Sequence, residues 1–176
     1  MENKKLKKSI TSYIVYIIVV IVIAVILQRF VFARATVTGP SMQPTFSNND
    51  IIFLEKISTE IGHINRGEIV IFNSQDENND NYIKRVIGVA GNKIEIKNSK
   101  VYLNGKELQE KYLPIGTKTE PNSSITTYTV PKGYIFVLGD NRENSTDSRI
   151  LGNISLKQVK GHVVLGLYPF KNIKIF

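Results

Sequence analysis

The sequence predicts a mainly β fold, an antiparallel sheet or distorted barrel, carried behind one N-terminal transmembrane helix. Two observations predict it. Residues Ile10 to Leu27 form an uncharged apolar run. Beyond Arg34 the apolar residues change from a continuous block to short β-branched stretches that alternate with polar ones, the period of a half-buried strand.

The first element is the apolar run. A helix rises ~1.5 Å per residue, so Ile10–Leu27 would reach ~27 Å, close to the thickness of a bilayer core. Lys4, Lys5, Lys7 and Lys8 precede the run, and Arg29 and Arg34 follow it. This asymmetry predicts a cytoplasmic tail at residues 1–9, a span at residues 10–32, and a domain at residues 36–176 outside the membrane. "ARA", Ala33 to Ala35, has the small-x-small form of a signal-peptide cleavage site, and cutting after Ala35 is an open reading. The apolar run is longer than the roughly 7–15 residues of a cleaved h-region, so a retained anchor is expected. It has no polar face, which weighs against a buried soluble helix.

The strands follow in order: Asp50–Ile57, Gly67–Phe72, Asn81–Ala90, Asn92–Lys97, Lys100–Leu108, Gly133–Asp140 and Lys160–Phe170. Asn104-Gly105 inside "YLNGKEL" is a hairpin signal, because both residues tolerate the positive φ that a two-residue turn demands. "NSQDENNDN", Asn73 to Asn81, reads as a polar hairpin loop. "YLPIGTKTEPNSSITTY", Tyr112 to Tyr128, reads as a loop-rich excursion, and residues 93–128 as a small subdomain away from the chemistry. No amphipathic helix is expected after the anchor.

Charge and composition narrow the function. The formal net charge is +8. Residues 1–34 hold six Lys/Arg against one acid, and the remainder holds 17 against 14. The excess therefore sits beside the apolar run, and the body gives little support to a nucleic-acid partner. There is no cysteine, which excludes disulfides and thiol chemistry. His63 and His162 are the only histidines, far apart in sequence, so a metal site is not expected.

Three polar clusters interrupt the strands. "TGPSMQPTF" places Ser41 between Pro40 and Pro44, whose fixed φ angles would present it on a stiff turn. A nucleophilic serine needs a base. His63 in "IGHINRGE", His162 in a strand, and Lys84 in "YIKRVIG" are the candidates. Strand alternation puts Tyr82, Lys84 and Val86 on one face and Arg85 on the other. An apolar setting disfavours the charged amine, and a neutral lysine can accept a proton from serine. The third cluster, "GDNRENSTDSR", packs Asp140, Arg142, Glu143, Asp147 and Arg149 into one loop. Each cluster alone has an ordinary reading as a turn, an edge lysine or a solvated loop.

Together, in this order and behind an anchor, the clusters resemble the bacterial type I signal peptidases, in the compact Gram-positive form. The residues that carry the resemblance are "SMQPT", "RGEIVIF", "YIKRVIG" and "GDNRENSTDSR". The resemblance implies a Ser/Lys dyad, with Ser41 as nucleophile and Lys84 as general base. It implies that Ser145 orients the lysine amine, and that Arg85, Asp140, Arg142, Asp147 and Arg149 support the site. It also implies a membrane-anchored serine endopeptidase that cleaves signal peptides from exported preproteins after a small-x-small motif and needs no cofactor. Two positions depart from the family pattern. Gly39 stands where some members carry a hydroxyl that helps bind the oxyanion, and Glu68 stands for an aspartate. Gly39, Met42 and Pro44 are expected beside the substrate or membrane, and Met42 and Phe46 have core packing as the alternative. An anchored β-module without activity and a self-cleaving repressor peptidase are the rival readings. The second lacks a DNA-binding domain here.

Overall fold

The computed structural model describes residues 2–75, 79–122, 124–167 and 173–176; within these, only the backbone is described at residues 2–11, 26, 29, 30 and 60. The helix α1 runs Glu2–Phe30. Its described apolar side chains from Tyr13 to Leu27 are all exposed. Among the described residues no helix is long and apolar enough to cross a membrane. Within the expected span at residues 10–32, the side chains at 10, 11, 26, 29 and 30 are not described.

The strands that follow build two antiparallel sheets. The larger contains β1 (Phe32–Thr36), β2 (Ile51–Glu55), β3 (Ile69–Asn73), β4 (Asn81–Val89), β9 (Tyr134–Leu138), β10 (Ile154–Ser155), β11 (Val159–Gly166) and β12 (Lys174–Ile175). Its order is β1-β2-β11-β3-β4-β9-β10, with β12 beside β11. The ladder has two ends, so the expected distorted barrel is an open one. The smaller sheet has the order β7-β6-β5-β8, from β5 (Lys93–Lys97), β6 (Lys100–Leu103), β7 (Lys106–Glu107) and β8 (Thr127–Thr129). The β6–β7 hairpin turns at Asn104 and Gly105, with φ of 50° and 81°, the left-handed geometry such turns require.

Short helices appear where none was expected: α2 at Ile57–Glu60, α3 at Ser148–Leu151, and a 3-10 turn at Leu156–Gln158. Each is about one turn, too short for a periodic signal. The strand expected at Lys160–Phe170 runs Val159–Gly166; positions 168–170 lie outside the described residues.

β3 reads as an unbroken apolar run because both its faces are buried. Ile69 and Ile71 join Met42, Phe46, Ile52 and Leu54 under the Ser41 turn, whereas Val70 and Phe72 join Val86, Ile135 and Val137 on the opposite face. A third cluster, including Ile87, Ile94, Val101 and Phe136, cements the smaller sheet to the larger. Gly88 makes that contact possible, since a Cβ there would lie 2.5 Å from Ile94 Cδ1.

Candidate active site

Sequence separation hides the site, and the sheet register assembles it. β4 pairs with β3 so that Lys84 lies opposite Val70, and with β9 so that Arg85 lies opposite Leu138. Chain leaving β9 therefore enters the 139–149 loop beside Lys84. The Ser41 turn follows β1, closed by hydrogen bonds from Gln43 N–H to the Pro40 carbonyl and from Phe46 N–H to the Met42 carbonyl. The loop clasps this turn. Asn141 N–H donates to the Ser41 carbonyl at 3.0 Å, and the Asn141 side-chain amide donates to the Pro40 carbonyl at 3.2 Å.

Lys84 Nζ lies 2.8 Å from Ser41 Oγ and 3.0 Å from the Ile83 carbonyl. Lys84 is 3% exposed, and its amine sits 5.1 Å from the centre of the Tyr82 ring. Burial pushes its pKa down to about 8, against the opposing pull of the Asp147 and Asp140 charges. Those two carboxylates are themselves paired. Arg85 donates to Asp140 from Nε at 2.9 Å and from Nη2 at 2.7 Å. Arg149 donates to Asp147 from Nε at 2.9 Å and from Nη2 at 2.8 Å. The pairing leaves desolvation as the larger influence on the amine.

The expected site residues separate into groups. Ser41, Lys84, Arg85, Asp140, Arg142, Asp147 and Arg149 are brought together. Asp140 also accepts from the Thr45 hydroxyl. Ser145 is placed against the same corner: a Cβ on Gly139 would lie 2.2 Å from Ser145 Oγ and 2.6 Å from the Ser41 carbonyl oxygen. The hydrogen bond expected from Ser145 to the lysine is not formed, and Ser145 Oγ is buried without a partner. Gly39 lines the groove, with its N–H committed to Asn48 Oδ1 at 3.0 Å. Met42 and Phe46 are core residues, 0% and 2% exposed, so Met42 meets neither membrane nor substrate. Pro44 is exposed and lies outside the groove lining. The histidines stand apart. His63 is exposed, and His162 Nδ1 faces Glu55 at 3.4 Å; neither lines the groove. Among the described residues, no cluster of His, Asp and Glu could hold a metal ion.

The groove beside Ser41 has a volume of about 610 Å³. β1 forms one wall, and Ile52, Leu54, Ile71 and Ile83 contribute apolar lining. Ala33 and Ala35 of "ARA" belong to that wall, paired with Leu54 and Ile52. Cutting after Ala35 within the same molecule would require β1 to leave the ladder.

Gly139 gives a sharp test of this packing. Gly139→Ala forces Ser145 or the Ser41 backbone to move, at the roughly 1–3 kcal/mol typical of overpacking. The expected result is a fall in kcat of tenfold or more with a folded domain, read by peptide cleavage and a thermal melt. Unchanged kcat would show that the corner is looser than this geometry.

The comparisons with known proteins agree with the motifs. The family model described as "Signal peptidase, peptidase S26" matches residues 10–168. Signal peptidase IB of Staphylococcus aureus (strain COL) is 36% identical over 183 residues, covering 96% of this chain and 95% of that protein. Signal peptidase I S of Bacillus subtilis (strain 168) is 37% identical over 181 residues, covering 98% and 97%. A crystal structure of a signal peptidase I from Enterococcus faecalis is 32% identical, with a TM-score of 0.45, covering 56% of this chain and 95% of that one.

Proposed function

The chain belongs to the S26 signal peptidase family and is a serine peptidase of the signal peptidase I type; from that premise we propose that Ser41 and Lys84 are its catalytic dyad and that it cuts signal peptides from exported preproteins. The observation that carries the proposal is the 2.8 Å approach of a buried lysine amine to the Ser41 hydroxyl beside an open groove.

In this reading the neutral Lys84 amine accepts the Ser41 proton as Oγ attacks the carbonyl carbon of the scissile bond. The ammonium then returns that proton to the leaving amine, which becomes the N-terminus of the mature protein. The acyl group stays on Oγ until water, deprotonated by the same amine, attacks it. The Ser41 N–H is the proposed oxyanion donor. Pro40 has no N–H, Gly39 has no side chain, and the Gly39 N–H is already used by Asn48. An extended substrate segment would lie along the groove, with small side chains directed at its apolar lining.

The anchor belongs to the same reading. From Tyr13 to Leu27 the described side chains of α1 are apolar and exposed, which suits lipid better than an aqueous setting. Phe32, Ile57 and Ile61 are also exposed, and Lys56 N–H donates to the Val31 carbonyl where α1 meets the sheet. We assign this corner to the lipid surface, with residues 1–9 cytoplasmic and the β domain outside.

Two measurements test the proposal. A detergent-solubilised preprotein should be cut once, after a small-x-small site, as read by N-terminal sequencing of the product; cutting elsewhere or not at all would refute the substrate assignment. The base must be neutral to work, so activity rises with pH through the Lys84 pKa. The acid limb of kcat/KM is expected at about pH 8, and a profile flat down to pH 5 would exclude lysine as the base.

A further inference from the structure

The segment between β7 and β8 has a part in the site that its loop-like sequence conceals. β7 and β8 lie at opposite edges of the smaller sheet, so their connection must cross from one edge to the other. Its Glu110–Glu120 portion makes that crossing against the 139–149 loop. Glu110 grips Arg142 with both oxygens, at 2.8 Å from Nη1 and 2.5 Å from Nη2. The two side chains are 10% and 0% exposed. Thr119 Oγ accepts from Arg142 Nη1 at 2.6 Å, and the Glu120 carbonyl accepts from Arg149 Nη1 at 3.1 Å. Tyr112 covers Arg85, with the guanidinium 4.0 Å from the ring centre. Its hydroxyl donates to Glu110 at 2.5 Å and accepts from Arg142 at 3.3 Å. Burial opposes the Arg142 charge, but the Glu110 bonds outweigh it and hold the Arg142 pKa above its ordinary value.

Two short paths lead from this strap to the reacting atoms. Arg142 Nε donates to the Gly139 carbonyl at 3.0 Å, and Gly139 abuts both Ser145 and the Ser41 carbonyl. Arg85, covered by Tyr112, holds Asp140, and Asp140 holds Thr45, which lies in the Ser41 turn. Arg85 is also the neighbour of Lys84 in β4. The strap therefore fixes the loop from one side while the loop fixes Ser41 from the other.

We propose that Glu110 and Tyr112 are positioning residues for the Ser41–Lys84 pair, so that the smaller sheet serves the chemistry through its crossover strap. The inference rests on the peptidase reading above. A misplacement of about 1 Å at reacting groups can cost on the order of 100-fold in rate. The substrate groove is lined chiefly by β1, β2 and β4, and the 139–149 loop adds only Asn144 and Thr146 to it. Loosening the strap should therefore lower kcat and leave KM nearly untouched.

The test compares the full-length wild type with Tyr112→Phe, Tyr112→Leu and Glu110→Gln in detergent. An internally quenched peptide with a small-x-small site gives kcat and KM, expressed per folded molecule from thermal melts. Tyr112→Leu and Glu110→Gln are expected to lose about 10- to 100-fold in kcat with KM within about twofold. Tyr112→Phe keeps the ring over Arg85 and is expected to retain kcat within about threefold. Unchanged kcat per folded molecule in Tyr112→Leu and Glu110→Gln, with only the melting temperature lowered, would reduce the strap to a structural part and overturn the inference. An equal loss in Phe and Leu would overturn the role given to the ring. A wild type that leaves the peptide intact would overturn the peptidase reading itself, and this inference with it.

Discussion

Replacing Lys84 with methionine is expected to abolish cleavage and, at neutral pH, to raise the melting temperature. The loss of activity follows from the geometry: with no amine beside Oγ, Ser41 keeps its proton, and losses of about 10,000-fold or more in kcat are usual when such a pair is broken. The gain in stability follows from linkage. The unfolded chain holds the lysine proton up to about 10.5, and the folded chain releases it near 8. Between those values the unfolded state binds more protons, so stability rises with pH across that window. Below about pH 8 the full cost of burying the cation is present, about 3 kcal/mol. Methionine keeps most of the side-chain volume and removes that cost. Melts of the two proteins should differ at pH 7 and converge toward pH 10. A Lys84→Met variant that melts below the wild type at pH 7 would mean that the amine is well stabilised where it lies. Ser41→Ala should be equally inactive without this change in stability.

Asp147→Ala is expected to be the most destabilising single change in the 139–149 loop. The carboxylate is fully buried. It accepts from Gly139 N–H at 3.0 Å, from Arg149 N–H at 3.2 Å, and from the Arg149 guanidinium at 2.9 and 2.8 Å. Removing it strands a buried guanidinium and unties the residue that abuts Ser41. Breaking a buried pair in this way costs about 3–5 kcal/mol, and for a domain of this size that lowers the melting temperature by roughly 6–20 °C. The acid limb should also move to lower pH, because Asp147 favours the charged form of Lys84. A melting temperature within about 2 °C of wild type would show that Arg149 finds another partner.

Much of this architecture is legible in the sequence because it depends on local rules. Asn104-Gly105 turns where it must, since its backbone needs positive φ. β3 and β4 are plain from their β-branched runs, and alternation correctly sends Lys84 and Arg85 in different directions. The Ser41–Lys84 contact is less legible, because the two residues are 43 positions apart and only the motifs suggest that they meet. β1 was harder still. "FARAT" begins at the last residue of the expected span and continues into the "ARA" that has the form of a cleavage site, yet it pairs along its whole length with β2. Met42 and Phe46 face inward because the turn folds back on the sheet, a direction that no periodic pattern encodes. The Glu110–Arg142 pair spans 32 positions through a segment rich in Pro, Gly, Ser and Thr. Local propensity there gives only "loop", and the crossing that makes it a clamp is a property of the strand order.

The central claim is a covalent one, that Ser41 Oγ carries the acyl half of the substrate after Lys84 has taken its proton. The direct measurement is to mix the wild type with a peptide ester ending in a small-x-small sequence, quench in acid within the first turnover, and map the adduct by mass spectrometry of the digested protein. The expected result is an acyl group on the fragment containing Ser41, absent from Ser41→Ala and Lys84→Met. Cleavage at full rate with the adduct on another residue, or with the same adduct formed by Lys84→Met, would contradict the account.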